Sequence, residues 1–334
     1  MSGPRALVTG GAGFIGSELV AQLVAAGWEV TVLDDLSTGR WANLEGLPLA
    51  ANARVTGDVR DSTLLGRLLP GVDAVFHLAC RGVRFSLHSP VETHAVNATG
   101  TISVLEAARR AAVRRLVYVS SSEVYGLAPA ARLAEDAVTL PTTAYGASKL
   151  AGEAYARAYA CSFGLPVAIV RPFNSFGPRS HHEGDAGEVI PKFVLRALAG
   201  EPLTIFGDGT QTRDFSYVTD TARGIRLAAT LDAAVGETIN LGSGQAISIR
   251  ALARAVLDSV GRPDTPLHFD PPRPGDLPGL RADTAKAERL LGFRAEVPFA
   301  EGLARLVEDY RREPEAVARR VREDIVRNWE VEHG

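Results

Sequence analysis

Arg5–Thr9 is a short, mostly apolar run that passes directly into Gly10-Gly11-Ala12-Gly13-Phe14-Ile15-Gly16, and an amphipathic stretch over 17–26 follows. The run reads as a buried parallel strand and the stretch as a helix. A strand that enters a helix through a glycine-rich turn leaves few folds open. Glycines at 10, 13 and 16 allow a tight turn, a close approach of backbone to a pyrophosphate, and close packing of helix on strand. The start of the helix, with Phe14 and Ile15, presents free N–H groups to phosphates. A second strand over 28–33 ends in Asp34, at the spacing expected for a carboxylate that binds a ribose. Asp35 follows, and two acids in succession would repel a 2′-phosphate, while no Arg stands ready to receive one. The pattern specifies a dinucleotide site that favours NAD over NADP, with Thr38 and Gly39 of the same loop placed against it.

The alternation continues. Arg54–Thr56 reads as a strand, 61–69 as a helix, 74–78 as a strand and 91–111 as a long helix. Strand Arg115–Val119, helix Ala144–Phe163 and a strand over 166–170 follow. Repeated strand–helix units imply an α/β fold with a doubly wound parallel sheet and ligands at the carboxyl ends of its strands. Asp58 and Val59, Leu78 and Ala79, Ser120, and Pro172 beyond the last strand occupy those ends. After Arg171-Pro172-Phe173-Asn174 the regularity breaks down, and 175–188 is polar and glycine-rich, as a substrate loop would be. Val189–Ala199 reads as a helix, Leu203–Phe206 as a strand, 219–231 as a helix and Thr238–Leu241 as a strand. The last hundred residues read as mostly helical, broken by Asp270-Pro271-Pro272-Arg273-Pro274-Gly275-Asp276, with a charged helix from Pro314. Residues 1–172 thus form the cofactor-binding domain and 173–334 mainly a smaller, mostly helical substrate-binding lobe, with about 215–242 returning to the first domain.

Composition excludes several classes. A net charge of −3 without a basic block gives nucleic acid nothing to bind, and no run of 18 uncharged apolar residues exists to span a membrane. The chain starts a strand almost at once, which leaves no room for a signal peptide, and Cys80 and Cys161 are its only cysteines, so a reduced, cytoplasmic setting is expected. His181-His182-Glu183 is the nearest thing to a metal cluster, but adjacent residues cannot face one ion from a regular element, so no metal is expected.

Chemistry concentrates in Ser121-Ser122-Glu123-Val124-Tyr125-Gly126, which closes strand Arg115–Val119, and in Tyr145-Gly146-Ala147-Ser148-Lys149, which opens the next helix. Tyr145 and Lys149, four residues apart, share a helix face. An ammonium near a phenol favours the phenolate, so the Tyr145 pKa is expected to fall from its usual value of ~10 toward neutrality. Tyr145 then suits proton removal from a sugar or alcohol hydroxyl beside a hydride acceptor. His77, at a strand end, reads as a hydrogen-bonded core residue, and Tyr125 as structural packing.

Together these residues resemble the extended short-chain dehydrogenase/reductase family, in its nucleotide-sugar epimerase, dehydratase and decarboxylase branch. The markers are Thr9–Gly16, Gly57-Asp58, His77-Leu78-Ala79, the Ser121, Tyr145 and Lys149 set, 171–179, Thr212–Tyr217 and 273–276, spread over nearly all of the chain. The resemblance implies a Rossmann sheet holding NAD tightly and regenerating it each cycle. It implies that Ser121 hydrogen-bonds the sugar 4-hydroxyl, that Tyr145 removes its proton while hydride leaves C4, and that Lys149 binds the nicotinamide ribose. Asn97 matches a residue close to the cofactor. Asn174, Arg213, Arg273 and Asp276 match residues that hold a nucleotide diphosphate, and Val189 and Ile190 fall where backbone reads the base. A homodimer packed through the helices over 91–111 and Ala144–Phe163 is implied, with UDP as the family's usual nucleotide.

Glu123 bears on the reaction. By the same resemblance, pure 4-epimerases carry a small or apolar residue there, whereas 4,6-dehydratases and uronate decarboxylases carry Glu, placed to take the C5 proton made acidic by a 4-keto group. Many 4,6-dehydratases precede it with an Asp that expels the C6 hydroxyl; here Ser122 stands instead, as in the decarboxylases and GDP-mannose dehydratases. A uronate would need a cation, for which Arg81, Arg84, Arg179 and Arg281 are candidates, Arg281 standing near the family's C-terminal substrate Arg. The acidic loop over 180–188 does not match a decarboxylase. The reading that results is an NAD-dependent nucleotide-sugar epimerase/dehydratase, isomerase or lyase, with C5 chemistry at Glu123. A UDP-glucuronate decarboxylase, a simple UDP-hexose or UDP-uronate 4-epimerase, and a catalytically silent NAD-binding regulator are the alternatives. Arg81, Arg84, His88, His181 and His182 fall on loops near the sugar pocket without assigned roles.

Overall fold

Which side of the strands each apolar residue faces decides the layers. The computed structural model describes residues 3–129, 131–273 and 275–327, apart from the side chain of Asp185. Pro274 of the proline-rich interruption and the end of the last charged segment, 328–334, lie outside the described residues. The chain begins with β1 (Arg5–Thr9), α1 (Phe14–Ala25), β2 (Glu29–Asp34), β3 (Arg54–Thr56), α2 (Ser62–Leu68) and β4 (Ala74–His77). Next come α3 (Phe85–His88), α4 (Pro90–His94), a π-helical turn at Ala95–Thr99, α5 (Gly100–Arg110), β5 (Arg115–Val119), α6 (Ala144–Phe163) and β6 (Val167–Pro172). The second half holds β7 (Asn174–Phe176), α7 (Val189–Ala199), β8 (Leu203–Phe206), β9 (Thr212–Tyr217), α8 (Val218–Thr230), β10 (Thr238–Leu241), β11 (Ala246–Ser248) and α9 (Ile249–Val260). It closes with β12 (Leu267–Asp270), β13 (Gly279–Leu280), α10 (Ala285–Leu291), α11 (Phe299–Arg311) and α12 (Pro314–Arg322).

Seven strands form one parallel sheet in the order β10-β6-β5-β4-β1-β2-β3, the doubly wound arrangement expected from the alternation. Successive side chains on a strand face opposite sides. Ala6 and Val8 of β1, Val117 and Val119 of β5, and Ala168 and Val170 of β6 pack with α1 and α8 on one face. Leu7, Leu116, Tyr118, Val167 and Ile169 pack with α2, α5 and α6 on the other. Both faces are buried, which is why these strands read as near-continuous apolar runs. A separate core joins α7, α9 and α11 over β8 and β9. The switch between β1 and β4 opens the crevice in which ligands of such sheets bind.

Three expectations change. The long helix over 91–111 is interrupted: the π turn at Ala95–Thr99 widens it and buries Asn97. The helix after the glycine loop begins at Phe14, not at 17. The last hundred residues contain three short strands, β11 to β13, besides their helices. Among the described residues, no helix is long and apolar enough to cross a membrane.

Candidate active site

A cavity of about 730 Å³ runs along the carboxyl ends of the sheet strands into the second lobe. At its cofactor end, Gly10 holds a left-handed φ of 70°, and a Cβ there would come within 2.7 Å of the Ala79 nitrogen. A Cβ on Gly16 would lie 2.1 Å from the Gly10 carbonyl oxygen, so α1 can start this close to the turn only with glycine. Gly13 caps α1 without a side-chain bond, which leaves the first N–H groups, those of Phe14, Ile15 and Gly16, for a ligand. Asp34 lines the same end and accepts from Ala12 N and Leu36 N, each at 2.9 Å. Burial pushes its carboxyl above the ordinary range against those two donors. The glycine cradle, the uncapped helix start and the buried Asp34 fit NAD.

Thr38, Asp58, Val59, Leu78, Ala79, Ser120 and Pro172 line this end as expected. Two residues assigned to the cofactor stand outside the cavity lining. Asn97 is 1% exposed and does not line the cavity; its amide clasps the Arg81 backbone (2.7 and 3.0 Å) and Ser148 Oγ (3.0 Å), fixing the segment after β4. Gly39 does not line the cavity either; a Cβ there would press within 2.7 Å of Asp34 Oδ1, so its part is to let the loop pass the carboxylate. An Arg does reach the acid pair: Arg81 bonds Asp35 at 3.0 Å and is thereby engaged.

Two glycines seat α6 against the reactive turn. Gly146, bonded to the Thr143 cap at 3.1 Å, would carry a Cβ 2.7 Å from the Glu123 carbonyl; Gly152 would carry one 2.1 Å from Tyr118 Oη. Ser121 caps the 3₁₀ turn Ser122–Val124, accepts from Glu123 N at 3.2 Å, and lies close enough to the Tyr145 phenol to act on it. Ser122 and Glu123 face the same cavity. Lys149, 2% exposed, donates to the Val119 carbonyl at 2.8 Å, with its Nζ 6.0 Å from the Tyr145 ring centre. The expected lowering of the Tyr145 phenol is not met: burial pushes it well above its ordinary value, and the neighbouring Ser121 only partly offsets this. Helical spacing put both residues on one face but did not fix where the ammonium points.

Beneath this turn, Glu153 is fully buried and paired bidentately with Arg171 (2.8 and 2.7 Å), while Ser120 Oγ donates to it at 2.6 Å. His77 bonds Thr9 (2.7 Å) and Thr101 (3.0 Å), and burial pushes it down to about 3, so it is a neutral core residue. Tyr125 is buried and donates to Asn240 at 2.7 Å.

At the far end, Arg213 and Arg273 converge on Asp276, the second at 3.1 Å, and Asn174, whose Oδ1 is buried without a hydrogen-bond partner, lines the same cavity. Val189 and Ile190 line it. Arg281 does not: it is exposed and donates to the Gly244 carbonyl at 2.9 Å. Arg179 pairs with Glu18 at 2.6 Å, away from the cavity, whereas Arg84 and His181 line it. Glu123 sits among Arg213, Arg273 and Arg84, yet burial outweighs them and raises its carboxyl. Sequence reasoning missed Glu188, Lys192 and Asp324, which also line the cavity. Glu188 stands directly before Val189-Ile190, a position that could have drawn notice.

The model of the NAD dependent epimerase/dehydratase family matches residues 6–242. The chain is 41% identical to a UDP-glucose 4-epimerase of Mycolicibacterium smegmatis over 92% of this chain and 98% of that one. It is 36% identical to a dTDP-glucose 4,6-dehydratase of Streptomyces niveus, over 92% and 93%. The crystal structure of DesIV, a dTDP-glucose 4,6-dehydratase from Streptomyces venezuelae with NAD and TYD bound, superposes with a TM-score of 0.87 at 38% identity, covering 93% of this chain and 98% of that one. With its glycine cradle, Ser–Tyr–Lys set and arginine pair in one cavity, the chain belongs to the NAD-dependent epimerase/dehydratase family and is an NAD-dependent nucleotide-sugar enzyme of that kind.

Proposed function

We propose that this enzyme transiently oxidises C4 of a nucleotide-diphosphate sugar, UDP-linked or a close analogue, and then acts at C5 through Glu123. The observation that carries the reading is one cavity lined by Ser121, Glu123, Tyr145 and Lys149 together, between a dinucleotide cradle and an arginine pair. Gly10, Gly13, Gly16 and Asp34 would hold NAD, with Lys149 at its nicotinamide ribose; when bound, NAD accepts hydride from C4 and returns it. Arg213 and Arg273 supply bidentate donors for the diphosphate, with Asn174 beside them. Ser121 orients the 4-hydroxyl, and Tyr145 takes its proton. A neutral, buried phenol needs a nearby positive charge to do this, and Lys149 can supply one by turning from Val119.

Tyr145→Phe should abolish turnover while leaving NAD bound; near-normal turnover would sink the assignment. Glu123→Gln should stop exchange of the C5 hydrogen with solvent but spare C4 oxidation, and equal loss of both would remove its separate role. The exposed Val91 (82%), Phe163 (57%) and Tyr155 (38%) on α4 and α6 support a homodimer packed through those helices.

A further inference from the structure

The segment that follows α12 forms part of the cavity wall. α12 is held on the second lobe by Val317, buried in the core that joins α7, α9 and α11, with Val321 packed beside it. Just past the helix, Asp324 and Val326 line the cavity. This stretch is tied down on two sides. At its start, Asp324 pairs with Lys192 at 2.9 Å and with Arg196 at 3.3 Å, both on α7. Lys192 Nζ also donates to the Ile325 carbonyl at 2.6 Å. At its far side, Arg327 reaches Asp270 of β12 at 3.4 Å. Asp270 stands opposite Phe206 in the β8–β12 pair, and Phe206, Lys192 and Arg196 all line the cavity. Asp324–Arg327 is thus a strap slung between two elements of the cavity wall.

Its position along the cavity follows from β8. Leu203 and Ile205 point into the core of the second lobe, so the alternate Thr204 and Phe206 face the cavity. Gln211 ties this strand to the arginine pair: its Nε2 donates to the Phe206 carbonyl at 2.7 Å and to Asp276 Oδ2 at 3.4 Å. Asp276 is the carboxylate on which Arg213 and Arg273 converge. The strap therefore closes the cavity on the second-lobe side of that pair. A diphosphate held by the two arginines has the sugar on one side, toward Ser121 and Tyr145. The nucleoside must then lie on the other side, at the strap.

We propose that Asp324–Arg327 holds the nucleoside of the substrate, with Val326 as its contact and Asp324 as the positioning residue that keeps the strap closed. The proposal rests on the reading that the substrate is a nucleotide-diphosphate sugar. Val326 is 37% exposed although it lines the cavity, and a nucleobase seated on it would remove apolar surface from water. Thr204 and Phe206 supply the facing surface from β8.

Asp324 has a second effect, on charge. Lys192 and Arg196 would, if uncompensated, offer phosphates a competing place beside the nucleoside. Asp324 engages both, and Arg196 Nε is further bonded to the Pro202 carbonyl at 2.8 Å. The diphosphate is thereby left to Arg213 and Arg273. Because ion pairs, rather than a packed core, fasten both sides of the strap, it can release to let the nucleotide in and out. The apparent affinity then scales with the fraction of protein in which the strap is closed.

The test is Asp324→Ala in the NAD-loaded enzyme, with UDP, dTDP and GDP as probes and calorimetry as the measure of binding. Wild type should bind at least one of the three. D324A should bind that nucleotide roughly tenfold more weakly, as a strap closed about a tenth of the time would, with NAD content at the wild-type level. With the matching nucleotide-diphosphate glucose, KM should rise by a similar factor while kcat holds. Asp324→Glu should recover part of the affinity, and Arg327→Ala, which loosens the other anchor, should weaken binding in the same direction. Hydrogen exchange gives a readout without turnover: the amides of 324–327 should exchange more slowly when the nucleotide binds wild type, and D324A should lose that protection. Wild-type affinity in D324A, a fall in kcat at unchanged KM, or loss of NAD along with the nucleotide would each overturn the proposal. Wild type that binds none of the three nucleotides would overturn the nucleotide reading itself, and the strap's role with it.

Discussion

Replacing Arg171 with Leu tests whether the buried pair beneath the reactive turn holds this part of the fold. Glu153 is fully buried and takes two bonds from Arg171, one from Ser120 and one from Arg157 at 3.2 Å. Removing one partner of a buried ion pair costs about 3–5 kcal/mol, because the other charge is left in a poorly solvating site. Ser120 and the half-exposed Arg157 remain as donors, which puts the expectation at the lower end, about 3 kcal/mol. The pH dependence carries the sign. Burial alone would raise the Glu153 carboxyl; the Arg171 bonds reverse this and hold it below its usual value. In the intact protein Glu153 therefore contributes stability that is present above the unfolded pKa and lost as pH falls through the folded one. In R171L the folded carboxyl moves above its unfolded value, so the order inverts, and the deficit should shrink as pH falls from about 8 toward about 5. Urea unfolding of both proteins across that range measures this. A deficit under about 1 kcal/mol, or one that does not change with pH, would refute the reasoning. The double variant R171L/E153L should recover much of the loss, since no charge is then stranded.

Two other expectations follow from the cofactor end and from the exposed helices. Gly16→Ala would set a Cβ 2.1 Å from the Gly10 oxygen, so the purified variant should carry little NAD, measured as nucleotide released on heating; a wild-type content would show that the cradle tolerates the shift. If Val91, Tyr155 and Phe163 lie in a dimer interface, Val91→Glu with Phe163→Glu should give monomers by light scattering while the fold persists, and an unchanged mass would rule out that surface.

How far the sequence carried the fold depends on where each signal resides. The bounds of Ala144–Phe163 and Val189–Ala199 were legible because local chemistry marks them: Thr143 caps the first, and Gly164 and Gly200 end them in left-handed backbone. Gly279–Leu280, by contrast, is a strand only because it pairs with Thr212 and Arg213, and two residues carry no period of their own. The π turn at Ala95–Thr99 was invisible for a similar reason, since its pattern of polar and apolar residues fits an α-helix. That turn sets Asn97 inward, where it holds the Arg81 backbone and Ser148.

The site divides along the same line. Ser121, Tyr145, Lys149 and the glycine loop stand in short motifs whose spacing is itself informative, and the structure brings them to one cavity. What the motifs left out is the electrostatic state. Tyr145 and Lys149 were expected to lower a phenol, yet burial dominates and the ammonium is turned to Val119. Glu188 belongs to no motif; its state follows from burial and from Arg84, contributed by a distant part of the chain. Protonation in a closed cavity is set by which charges the fold brings together and how far it excludes water, so it becomes readable only once those neighbours are assembled. Glu123 shows the same dependence, since Arg213, Arg273 and Arg84 reach it from three separate parts of the chain and burial still raises its carboxyl.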